Sequence, residues 1–104
     1  MLGLIGLARK AGKLVIGEQA VLKALQLSQV RLLLLAVDGS NRKRRIFAAH
    51  AEAHSIPLIE WATKTQLGSQ LGKQQVAVAA IIDPSLAQAV WRKWEDMGNQ
   101  KLRG

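Results

Sequence analysis

Apolar residues along this chain alternate between helical spacings of three to four and nearly unbroken runs, and each change of rhythm marks an element. Leu2–Ala11 carries Leu4, Leu7, Ala8 and Ala11 at helical spacing and stops at Gly12, a natural C-cap, which predicts a first helix. Lys13–Ile16 reads as a short strand ending at Gly17. Directly after it, Glu18–Leu27 puts Ala20, Val21, Ala24 and Leu25 on one stripe and Gln19, Lys23 and Gln26 on another, an amphipathic helix. Val30–Val37 (VRLLLLAV) is almost wholly apolar, as in a strand buried on both faces. Asp38-Gly39-Ser40-Asn41 is turn chemistry with Ser40 or Asn41 available as an N-cap, and a helix then runs to about His54. Ile56–Glu60 predicts a third strand, with Pro57 near its start where a missing donor matters least. Thr63–Leu71 is a short helix containing Gly68, and Val76–Ile82 is a further buried strand. Asp83 and Pro84 open the last helix as N-cap and first helical residue.

The alternation predicts an α/β fold: a three-layer α/β/α sandwich with a central four-stranded mixed sheet. The 104 residues suit one domain, expected over residues 1–94, with a polar, frayed tail over 95–104. A chain of this size buries roughly 65% of its unfolded surface, enough for one core. There is no cysteine, so disulfides, thiolate zinc sites and cysteine nucleophiles are excluded. The longest apolar run, Val76–Ile82, is far short of a membrane span. The N-terminus carries no basic segment or cleavage site of a signal peptide, so a cytoplasmic location with no membrane contact is expected.

Charge narrows the partners. Fifteen Lys and Arg against seven Asp and Glu give +8, a field that attracts polyanions, of which nucleic acid is the leading class. At the strand–Gly17–helix junction, a residue without Cβ lets a ligand approach the open amides of a helix start, with Lys23 within reach. Arg42-Lys43-Arg44-Arg45 crowds cations into the first turn of a helix, each costing about 0.3–1 kcal/mol against the dipole unless an anion lies there, so the run reads as a phosphate clamp. A solvated charge run is the plainer alternative. Trp61 is either a stacking face for an extruded base or a cap on the core edge. Trp91 is expected on the sheet and Trp94 on a partner surface. His50 and His54 stand four apart, but the order His-Ala-Glu-Ala-His is not a zinc-protease motif and no third ligand stands nearby; no metal and no cofactor are expected. No nucleophile elbow, P-loop or dinucleotide fingerprint is present, so no catalytic residue is assigned.

Four segments carry a family resemblance: GLARKAGKLVIGEQAVLKAL, LLLLAVDGSN, IPLIEWATKTQLGSQLGK and AVAAIIDP. Together they resemble the kink-turn RNA-binding ribosomal-protein family, which includes large-subunit proteins seven-Ae and thirty-e, and within it the small bacterial YlxQ-like members. The likeness runs from about Leu2 to Val90. It implies binding without catalysis, with structured RNA such as ribosomal RNA as partner and ribosomal proteins as further neighbours of a monomer. The family's helix-two motif, Gly-x-Asn-Glu-x-x-Lys, is met by Gly17 and Lys23, whereas Gln19 stands for Asn and Ala20 for Glu. Gln19 keeps the amide; Ala20 cannot hydrogen-bond through its side chain. Carried onto this chain, the resemblance implies RNA contacts at Lys13, Gly17, Glu18, Gln19 and Lys23. It implies others in two loops, at Asp38, Ser40, Asn41, Arg42 and Lys43 and at Trp61, Ala62, Thr63 and Lys64. Two rival readings stay open from sequence: a protein-interaction module of the same fold with its basic face on acidic partners, and an RNA-modifying enzyme or enzyme subunit, which no residue pattern favours.

Overall fold

The computed structural model describes residues 2–103, with side chains described for residues 2–97. Nine elements follow in order: α1 (Leu2–Lys10), β1 (Leu14–Ile16), α2 (Glu18–Gln26), β2 (Leu32–Leu35), α3 (Asn41–His54), β3 (Leu58–Glu60), α4 (Lys64–Gln70), β4 (Val78–Ile81) and α5 (Pro84–Arg103). The expected tail is thus helical to Arg103, and from residue 98 onward its side chains lie outside the described ones.

The sheet has the order β1-β4-β2-β3. β4 pairs antiparallel with both β1 and β2, and only β2 and β3 are parallel, so the sheet is mixed. β2 and β4 are central and covered on both faces, which is why LLLL and VAAI are buried at every position. Alternate residues feed two cores. Leu32, Leu34, Ala79 and Ile81 pack with Ile5 of α1, Leu67 of α4, Leu71 at the C-cap of α4 and Val90 of α5. Leu33, Leu35, Val78 and Ala80 pack with Val21, Ala24, Leu25, Phe47 and Ala51 of α2 and α3. These are the three layers.

Two stripes differ from the pattern read in sequence. In α1 the buried face is Ile5, Gly6 and Ala8, while Leu7 is 54% exposed and Ala11 lies in the following turn. Gly6 lies against α4, where a Cβ would stand 2.5 Å from Nε2 at the movable end of Gln70, and Leu7 points away from the core. In α2 the buried residues are Val21, Ala24 and Leu25, and Ala20, in the first turn beyond the core, is exposed. Helix ends follow local chemistry. Gly12 takes φ +71° after α1, Ser40 accepts from the Lys43 amide at 3.1 Å, and Asp83 accepts from the Leu86 amide at 2.8 Å. Among the described residues no helix is long and apolar enough to cross a membrane.

Candidate nucleic-acid interface

The pairing register fixes which loops meet. β1, β2 and β3 all end on the side where β4 begins, since Ile16 faces Ala79, Leu35 faces Val78 and Leu35 faces Glu60. The start of α2, the β2–α3 loop and the β3–α4 loop therefore share one end of the sheet. Beyond the strands, Gly17 N–H donates to Val78 carbonyl at 3.0 Å and Ala36 N–H to Ala77 carbonyl at 2.9 Å, which carries the sheet bonding into these loops.

The mouth of α2 is open. Gly17 sits at φ 96°, ψ 157°, a conformation L side chains rarely adopt, and no side chain caps the helix. A Cβ at this position would meet nothing within 4 Å. The first amides of α2 thus lack a capping acceptor, and the positive end of the helix dipole adds to their attraction for an anion. Gln19 and Lys23 are exposed on the outer side of the same helix.

The two loops lock onto each other. Val37 N–H donates to Ala62 carbonyl at 2.9 Å, and Lys64 N–H donates to Asp38 Oδ1 at 2.8 Å. Ala62 accepts its bond from a left-handed backbone, φ 68°, which costs a non-glycine residue about 1–2 kcal/mol. Thr63 caps α4 in a reciprocal box with Gln66, with bonds of 3.1 and 2.8 Å. Asp38, Ser40 and Thr63 therefore spend their side-chain acceptors on shaping the loops. What they present outward is the loop itself and the cations beside it, Lys64 and Lys43.

The cation run on α3 has partners within the chain. Arg42 pairs with Glu18 across the α2 mouth at 3.6 Å, with side chains 66% and 28% exposed. Arg44 donates to Val37 carbonyl at 3.0 Å and is ion-paired with Glu60. The dipole penalty argued from sequence is thus partly offset by the protein's own carboxylates, and the run by itself does not demand a bound anion.

Most predicted site residues come together here, with one exception. Lys13 precedes β1 and its carbonyl accepts from Ile82 N–H, so it lies at the opposite end of the sheet from Gly17. It belongs to the other rim and is not part of the mouth. Trp61 is half-buried and packs on the α1/α4/α5 core, as Trp94 and Trp91 also do, so it does cap the core edge. Its outer side still lines a cavity of about 370 Å³ with Val37, Glu60, Gln66, Trp94 and Met97. His50 and His54 rings are 6.2 Å apart, and among the described residues no third metal-binding side chain joins them.

Sequence reasoning missed two features. Arg44 is the crossbar between the two loops, a role no motif signals. The Gln74–Val76 segment also reaches this end, because Val76 N–H donates to Lys64 carbonyl at 3.0 Å. Its only sequence trace is Gly68, where a Cβ would stand 2.6 Å from Gln74 carbonyl oxygen.

Against known proteins, the model of the ribosomal protein L7Ae/L30e/S12e/Gadd45 family matches residues 1–90. The chain is 30% identical over 84 residues to RNA-binding protein YlxQ of Bacillus subtilis (strain 168), covering 81% of this chain and 84% of that protein. It is 25% identical over 87 residues to RNA-binding protein YlxQ of Enterococcus faecium, covering 84% of each. A solved structure of a protein with unknown function from Bacillus halodurans C superposes with a TM-score of 0.84 at 28% identity, covering 88% of this chain and 92% of that one.

Proposed function

Because the chain belongs to the ribosomal protein L7Ae/L30e/S12e/Gadd45 family, we propose that it is a non-catalytic binder of structured RNA that grips a sharply bent, kink-turn-like helix. The observation that carries this reading is the convergence of an uncapped, glycine-led helix start with two interlocked loops at one end of the sheet. The name RNA-binding protein borne by the two YlxQ relatives supports it.

In this reading the amides of Glu18 and Gln19 meet the kinked backbone or a base edge, and Lys23 lies against the same strand. Arg42, Lys43 and Lys64 neutralise phosphates, and the loops at Asp38–Asn41 and Trp61–Thr63 receive the nucleotide turned out of the stack. Recognition is then largely of shape, because backbone amides and lysines read geometry before sequence. Arg42 must exchange Glu18 for phosphate, a modest demand for a 3.6 Å pair whose arginine is exposed. Ala20 supplies no hydrogen bond where the family motif has Glu, so Gln19 and Lys23 carry the side-chain share on this helix. The protein acts as a cytoplasmic monomer on ribosomal RNA or a comparably folded RNA.

The test is a gel shift with a kink-turn duplex and the same duplex with its G·A pairs replaced by Watson–Crick pairs. Preference for the kinked form, weakening steeply with salt, is the expected result. Equal binding of both would refute shape recognition. Retention of an acidic protein with no RNA response would establish the protein-interaction reading instead.

A further inference from the structure

The cavity behind the β3–α4 loop does not belong to the α2 mouth. Its walls are the indoles of Trp61 and Trp94, Val37 and Met97, and its polar edge is the Glu60 carboxylate beside Gln66. At about 370 Å³ it falls within the ~300–1,000 Å³ range of small-ligand pockets. Two of its walls, Trp94 and Met97, come from α5, an element that takes no part in the bent-helix grip.

Three observations bear on the occupant. First, the pocket is continuous with the proposed RNA path: Trp61, Ala62 and Thr63 form its lip and, on their other side, the loop locked to Val37 and Asp38. Second, both indoles are half-buried against the core and neither stacks on another ring among the described residues, so part of each stays accessible at the cavity. Third, Val37 is 45% exposed at the lip, although a large aliphatic side chain gains by burial. The charges around it are mixed: Arg44 is held to Val37 carbonyl and paired with Glu60, and Lys64 follows Thr63 at the lip. An aromatic, uncharged ring attached to a phosphate chain fits that combination.

We propose that this pocket takes one unpaired nucleobase from single-stranded RNA flanking the bend, laid against Trp61 and Trp94, so that α5 extends the interface beyond the duplex. The inference rests on the RNA reading above and adds a second, separable site to it. Glu60 gives the pocket a chemical preference. A carboxylate ion-paired with Arg44 accepts hydrogen bonds, so it favours bases that present an amino group. Adenine, cytosine and guanine carry an exocyclic amine, whereas uracil has only its ring N3–H between two carbonyl oxygens.

The experiment compares a blunt bent duplex with the same duplex carrying a short single-stranded extension, on either end in turn, with 2-aminopurine placed in the extension. One extension is expected to tighten binding about ten-fold, near the low end for one base stacked on an aromatic side chain, and to change 2-aminopurine fluorescence. Trp94→Leu should abolish that gain and leave the blunt duplex bound as before, while Trp94→Phe should keep most of it. The 2-aminopurine single strand alone, at high concentration, should show a fluorescence change that Trp94→Leu removes. No gain from either extension, or equal weakening of blunt and extended duplexes by Trp94→Leu in a protein that still melts normally, would overturn the proposal. Failure of the RNA reading looks different: the blunt bent duplex would bind no better than a straight one, and the single-strand arm would still decide the pocket.

Discussion

Replacing glycine by alanine should change stability in opposite directions at Gly68 and Gly3, although both lie in helices. At Gly68 a Cβ would stand 2.6 Å from Gln74 carbonyl oxygen, 2.7 Å from Gln74 carbonyl carbon and 2.8 Å from Gln75 nitrogen. All three are backbone atoms and cannot swing aside, so the Gln74–Gln75 segment must move away from α4. Overpacking of this kind costs about 1–3 kcal/mol, against a helix-propensity gain of at most about 1 kcal/mol. The steric term wins, leaving a net loss of about 1–2 kcal/mol. For a domain near this size, each kcal/mol moves Tm by about 4–8 °C, so Gly68→Ala should melt about 5–15 °C lower. At Gly3 a Cβ would meet nothing within 4 Å, and only the propensity term remains, so Tm should rise by a few degrees. Calorimetry or circular dichroism reads both. The displaced segment is also bonded to Lys64 through Val76 N–H at 3.0 Å, so Gly68→Ala should weaken RNA binding while Gly3→Ala leaves it unchanged. A rise in Tm for Gly68→Ala, or shifts of the same sign at both positions, would refute the reasoning.

Lys23→Ala should weaken RNA binding about ten-fold in a titration, with an unfolding free energy within about 0.5 kcal/mol of wild type, because Lys23 is an exposed helix residue. Glu18→Gln should tighten RNA binding several-fold by freeing Arg42 for phosphate, and should cost less than about 1 kcal/mol of stability, since the pair is long at 3.6 Å and its Arg42 side is 66% exposed. Thr63→Ala should lower stability by about 1 kcal/mol in denaturant melts, because it deletes the acceptor for the Gln66 amide and dissolves the capping box. It should also weaken RNA binding, because the loop it stiffens carries Lys64.

Much of the fold is legible in the sequence, and the residues show why. LLLL and VAAI are buried throughout because helices cover both faces, and a run without polar residues has few other places to go. Ser40, Thr63 and Asp83 cap their helices as local chemistry dictates. Which face of α1 turns inward is not legible, because it is set by Ile5 packing into a core shared with α4, α5 and the sheet, a contact between elements. The site divides the same way. Gly17 and Lys23 follow from the junction they sit in, and the Asp38 and Trp61 loops follow from family likeness. Lys13 looks adjacent to Gly17 in sequence, but an extended strand carries it away at about 3.3 Å per residue to the far rim. The partners of Arg42 and Arg44 are invisible in sequence because they are set by tertiary pairing with Glu18 and Glu60. The apolar pocket is hidden for the same reason: Trp61 and Trp94 are thirty-three positions apart and meet only in the folded core.

The central claim is that bent RNA docks at the end of the sheet where α2 begins. Amide chemical-shift mapping of the labelled protein with a kink-turn duplex tests it most directly. Large shifts should gather at Gly17–Gln19, Asp38–Asn41 and Ala62–Lys64 and leave Lys13, Arg31 and Ser85–Gln88 at the other rim unchanged. Shifts centred on that far rim, with Gly17–Gln19 unmoved, would contradict the account.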